Sequence, residues 1–154
     1  MEQQDNGNLA KLTDYVSGYN TNTKKTPYLD GYLIETTKYS STYGQRAVFN
    51  LTTFDITESL WGKTVKVTAD VTVSKEDVKC MFRVGMVTTS GTWVDYKYDY
   101  VNKSGTVEIE YVKDKRSTTA KPDVPLMLLI NTQTMDSTPL NTITITNVRL
   151  EVIE

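Results

Sequence analysis

The residues of this chain able to do chemistry are carboxylates and aromatic rings. Trp93, Asp95 and Asp99 fall at even spacing, so an extended backbone sets them on one side, with Val94, Tyr96, Tyr98 and Tyr100 on the other. An exposed indole beside carboxylates suits a sugar, whose apolar C–H face stacks on the ring while the acids take its hydroxyls. The competing role for Trp93 is to cover a hydrophobic core at a strand start, and that role is preferred. The tyrosine row then belongs either to the core, with hydroxyls at the rim, or to an oligomer surface. Glu108 and Glu110 also share one side of a strand, and paired carboxylates can run glycoside hydrolysis. Lysines lie close by in the sequence, and a solvated charged face explains the pair better.

Other chemistry is excluded by residue type. The 154 residues contain no histidine, which removes Ser-His-Asp and Cys-His catalysis, the usual zinc ligands and the commonest proton carrier near neutrality. Cys80 is the single cysteine, so no internal disulfide forms, and its neighbours Met81 and Phe82 mark it as a small apolar core thiol. Seventeen Lys and Arg against nineteen Asp and Glu give a net charge of −2, spread along the chain, with no basic footprint for nucleic acid and no polybasic membrane arm. There is no apolar run long enough to span a bilayer and no Gly-rich phosphate loop. The start Met1-Glu2-Gln3-Gln4 lacks a signal-like segment, which points to synthesis in the cytoplasm. No catalytic residue is assigned and the chain is read as a non-enzyme.

The elements that must position these side chains are strands. Val65, Val67, Ala69, Val71 and Val73 alternate with polar residues, as do Ala47, Phe49 and Leu51, then Cys80, Phe82, Val84 and Met86, then Val107, Ile109 and Tyr111. Turn chemistry separates them at Gly62-Lys63, Ser74 to Asp77, Ser90-Gly91 and Asn102 to Gly105. Segment Leu126 to Ile130 is apolar on both parities. It is a central strand covered on two sides, or one whose second face, carrying Met127 and Leu129, meets a partner subunit. The last strand, Thr142 to Glu154, places Ile143 and Ile145 on one parity and Val148, Leu150 and Val152 on the other. One extra residue near Thr146-Asn147 repairs the phase and puts both sets on one buried face. Lys24 to Pro27 and Lys113 to Asp123 read as loops. Tyr15, Tyr19, Tyr28, Tyr32, Tyr39 and Tyr43 crowd the first part of the chain. Capping the ends of the core is their preferred role, and Tyr43 is kept as a candidate ligand contact.

These features predict an all-β protein: a two-sheet antiparallel β-sandwich of eight to nine strands, with a polar tail over 1–7 and one domain over 8–154. The Gly62 to Val71 segment, Gly-Lys-Thr-Val-Lys-Val-Thr-Ala-Asp-Val, and the closing Ile143 to Glu151, Ile-Thr-Ile-Thr-Asn-Val-Arg-Leu-Glu, resemble the carbohydrate-binding-module-like jelly rolls. The resemblance covers about Asn8 to Glu151.

That superfamily serves both polysaccharide-degrading enzymes and the fibres, tails and heads of bacteriophages. The resemblance therefore implies one of two roles. The first, favoured by the missing export signal and the missing catalytic partner domain, is a virion structural protein of a phage head fibre, tail fibre or decoration, contacting other virion proteins, homo-oligomeric with a trimer as one option, and with host glycan as a secondary ligand. The second is a secreted carbohydrate-binding module. Members often hold a structural calcium; Asp5, Asp30, Asp136 and Glu151 offer oxygens, but no spacing singles out a cage, so no metal or cofactor is assigned.

Overall fold

The computed structural model describes residues 8–14, 22–40, 45–53, 62–87, 93–112, 126–134 and 140–153. Among them are ten strands: β1 (Asn8–Asp14), β2 (Thr23–Tyr28), β3 (Gly31–Thr36), β4 (Arg46–Thr53), β5 (Thr64–Val73), β6 (Cys80–Val87), β7 (Trp93–Val101), β8 (Gly105–Val112), β9 (Leu126–Asn131) and β10 (Thr142–Val152). All pairings are antiparallel. Sheet A runs β2-β3-β10-β5-β8 and sheet B runs β1-β4-β9-β6-β7. The two sheets stack as a sandwich, and β1 joins them. Its first two residues pair with Leu150 and Arg149 of β10, and the remainder pairs with β4.

The strand count exceeds the expected eight to nine because Thr23 to Tyr28 forms β2 rather than a loop. Two lysines and Pro27 argue against an interior strand, but β2 is the outermost strand of sheet A, where a missing N–H and charged side chains are tolerated. Leu29, at φ 52°, takes the left-handed conformation in the turn that joins it to β3.

The phase correction in β10 lies where the alternation requires it. Thr146 pairs with Asp70 and Arg149 with Thr68, so three steps along β10 match two along β5. Asn147 holds the left-handed conformation, φ 53°, that lets the strand take up the extra residue. Ile143, Ile145, Val148 and Leu150 are in consequence all buried, each worth roughly 1.5–3 kcal/mol of removed apolar surface. Val152, expected inside with them, is exposed at the strand end. Gly31 explains how β3 reaches this strand. A Cβ at Gly31 would stand 1.8 Å from the Ile145 carbonyl oxygen, so only a glycine permits the approach.

The core is made by the inward parities that the alternation marks on β4, β5, β6 and β8, joined by Leu126, Leu128 and Ile130 of β9. Tyr32 packs on Phe49 with ring centroids 4.8 Å apart, so it covers the core, whereas Tyr28 is exposed. Tyr15, Tyr19 and Tyr43 lie outside the described residues.

Cys80 belongs to a buried polar knot at one end of the sandwich. Asn141 donates its Nδ2–H to Thr132 O at 3.0 Å and to Cys80 Sγ at 3.2 Å, and its Oδ1 accepts from Ser74 Oγ at 3.1 Å and Lys75 N at 3.2 Å. Gln133 Oε1 accepts the Asn141 backbone N–H at 3.0 Å. The knot ties the ends of β5 and β9 to the starts of β6 and β10, and satisfying each buried polar group avoids its desolvation penalty. Burial pushes the Cys80 thiol up to about 12, against a smaller lowering by Asn141.

Candidate functional site

β9 lies in the middle of sheet B, between β4 and β6, and presents Met127 and Leu129 away from the core. On the same outward face stand Val48 of β4 and Met81 of β6, and the four form a second apolar cluster, each below 9% exposed. The double apolar parity of Leu126 to Ile130 is thus satisfied inside the single chain, where Met127 and Leu129 are 1% and 0% exposed.

Beyond this strip, at the margin of the sheet, runs β7. Tyr96 pairs with Gly85, Tyr98 with Arg83 and Tyr100 with Met81, which puts all three tyrosines on the outward face. They are neither core nor rim: their exposures are 40%, 52% and 47%. Their rings form a ladder. Tyr96 and Tyr98 are 6.2 Å apart and tilted, and Tyr98 meets Tyr100 edge to face at 5.5 Å, the offset geometry that ring quadrupoles favour. Cations steady both ends. The Arg83 guanidinium lies 4.0 Å from the centre of the Tyr96 ring, and Lys79 Nζ lies 4.5 Å from that of Tyr100. At the Tyr100 end, Lys79, Asp77, Val101 and Asn102 line an open recess of about 300 Å³.

The predicted grouping of Trp93 with Asp95 and Asp99 meets a register shift. Asp95 pairs with Met86, but Trp93 pairs with Val87, so two residues of β7 separate partners that are adjacent on β6. Trp93 is thereby in register with the row Met81, Arg83, Gly85 that carries the tyrosines, and Asp95 with the core row. The side chains of Trp93 and Asp95, like all of Tyr43, lie outside what is described. Asp99 pairs with Phe82, on the parity opposite to the tyrosines, and is exposed. Its Oδ1 accepts the Tyr100 backbone N–H at 2.9 Å. Lys97 and Asp99 occupy inward positions yet meet solvent, because β7 is the outermost strand of sheet B among the described residues. The parity of the tyrosines was legible in the sequence, which left a core row and an exposed surface row both open; the position of β7 at the sheet margin decides for exposure.

Glu108 and Glu110 are exposed on the outward face of sheet A, opposite Thr68 and Lys66. Among the described residues, no group of three His, Cys, Asp or Glu is arranged to hold a metal ion, and no helix is long and apolar enough to cross a membrane.

No protein-family model and no curated protein matches the chain. Solved structures do. A CBM4 carbohydrate-binding module is 17% identical with TM-score 0.57, covering 96% of this chain and 95% of that one. The N-terminal cellulose-binding domain of Cellulomonas fimi β-1,4-glucanase C is 18% identical with TM-score 0.52, over 96% and 90%. A bacteriophage CBA120 tailspike protein is 12% identical with TM-score 0.44 over 20% of its length, too slight a likeness to carry an argument. The fold is therefore the jelly-roll-like sandwich of carbohydrate-binding modules.

Proposed function

We propose that the chain is a non-catalytic carbohydrate-binding module and that the outward face of β6 and β7 is its platform. The observation that carries this reading is the Tyr96-Tyr98-Tyr100 ladder, which keeps about half of each tyrosine in solvent on a face where Val48, Met81, Met127 and Leu129 are buried. Rigid rings presented in a row are costly to leave wet, and they suit the C–H faces of successive sugar units while the hydroxyls bond to water and neighbouring polar groups. The backbone of Trp93 is in register with the same row and that of Asp95 with the core row.

The virion role favoured by the sequence yields to this reading, which the names of the CBM4 module and the cellulose-binding domain support. A polysaccharide ligand and an extracellular setting go with it.

Affinity electrophoresis and calorimetry against a panel of neutral and acidic soluble polysaccharides test it. Wild type is retarded by at least one member. Tyr98→Ala loses about tenfold in affinity with unchanged circular dichroism, and Asp99→Asn retains wild-type affinity. A wild type that interacts with no polysaccharide overturns the reading.

A further inference from the structure

Resting on that reading, we infer that the ligand is an acidic polysaccharide, one whose repeating units carry carboxylates. At the outward positions of sheet B the charged residues with described side chains are Arg46 and Arg83, both cations, and beside the start of β6 Lys79 and Asp77 share one recess. Both acids of β7, Asp95 and Asp99, pair at inward positions. This segregation is notable in a chain whose overall charge is negative.

The cations also stand where a glycan lying on the rings would meet them. Lys79 and Arg83, four residues apart on an extended segment and so roughly 13 Å from one another, each lie against one end of the tyrosine ladder. Tyr98, the most exposed of the three rings, is between them. A polymer stacked on Tyr98 thus brings its neighbouring units within reach of a guanidinium and an ammonium. Guanidinium binds carboxylate in a planar fork, and ammonium acts as a point charge. Asp77, on the wall of the recess beside Lys79, disfavours a carboxylate in the recess itself and directs the acid to the ring side of the lysine. A neutral glucan would gain stacking from this face but nothing from its charge.

The test sets polygalacturonate and alginate against the same polymers after carboxyl reduction, together with neutral cellulose- and xylan-derived oligosaccharides. Expected is binding to the polyuronates that weakens as salt rises from about 0.05 to 0.5 M and is lost on carboxyl reduction. Lys79→Gln should bind about fivefold more weakly with a shallower salt dependence, and Lys79→Arg should recover most of the loss. Equal binding to native and reduced polymers, or binding to neutral oligosaccharides alone, overturns the acidic-ligand inference and leaves the carbohydrate reading standing. Binding to none of these ligands overturns both.

Discussion

The outward faces of the two sheets are built from the same alternating strands and have opposite characters. On sheet A, Thr68, Thr72, Thr144 and Thr146 share the surface with Glu35, Asp70, Glu108, Glu110 and Glu151, whose carboxylates outnumber the cations of Lys24, Lys66 and Arg149. Neighbours there satisfy one another: Lys66 meets Glu151 at 3.4 Å, and Asp70 accepts from Asn147 Nδ2 at 3.2 Å and from Thr106 Oγ1 at 3.3 Å. On sheet B the corresponding positions carry a buried apolar strip, an exposed tyrosine row and basic side chains. A face that satisfies itself has little to offer a ligand. The other keeps rings in water beside its cations, and the difference lies in side-chain chemistry because the backbone pattern is shared.

Substitutions on matched positions can break this comparison. The largest effect is expected at Leu129: replacing it with Ala empties a fully buried site in the middle strand of sheet B and should cost about 3 kcal/mol in urea denaturation. A loss below about 1 kcal/mol would mean that the strip is not packed as described. Gly31→Ala drives a Cβ into the Ile145 carbonyl and should cost about 2 to 3 kcal/mol. Retained stability would mean that β3 does not approach β10 so closely. Next comes Asn141→Ala, which strips Thr132 O of a side-chain donor and Ser74 of its acceptor at the end of the sandwich. A loss of about 2 kcal/mol is expected, read from the same denaturation curves.

The contribution of Cys80 is read through pH. Its ordinary value of 9.0 rises to about 12 on burial, so above pH 9 the unfolded chain binds fewer protons than the folded one. The stability tied to the neutral thiol is complete below pH 9 and is lost as pH climbs from 9 towards 12. Cys80→Ala should therefore show a shallower decline of unfolding free energy with pH in this window. Equal slopes in the two proteins would contradict the burial. At the bottom of the scale, Thr144→Ala on the outward face of sheet A should stay within about 0.5 kcal/mol of wild type; a large loss there would erase the contrast with Leu129.

The elements that were legible in the sequence are those whose two faces differ in polarity. β5 shows why: valines and an alanine alternate with Lys, Thr and Asp, and only one orientation buries the first set without burying charge. β10 shows the same logic under strain, since two apolar sets of opposite parity on one strand demand an added residue, and Asn147 tolerates the backbone that accommodates it. β2 was missed because an edge strand relaxes the rules that identify strands. The candidate site stayed open through a similar gap. Tyr96, Tyr98 and Tyr100 were visible as a row, but alternation alone does not separate a core row from a surface row, and at a sheet margin both parities reach water.

What the sequence determined by itself was the class of structure and the sorting of side chains into alternate rows, because hydrophobic transfer acts on each residue wherever its strand goes. Which strand ends a sheet, which row of an edge strand stands beside an apolar strip, and which cation comes to rest on which ring depend on pairings between segments far apart in the chain. Arg83 reaches Tyr96 only because β6 lies beside β7 in one register, with a single shift at its end. Long-range pairing of that kind is decided by the packing of the whole sandwich, and no local pattern encodes it.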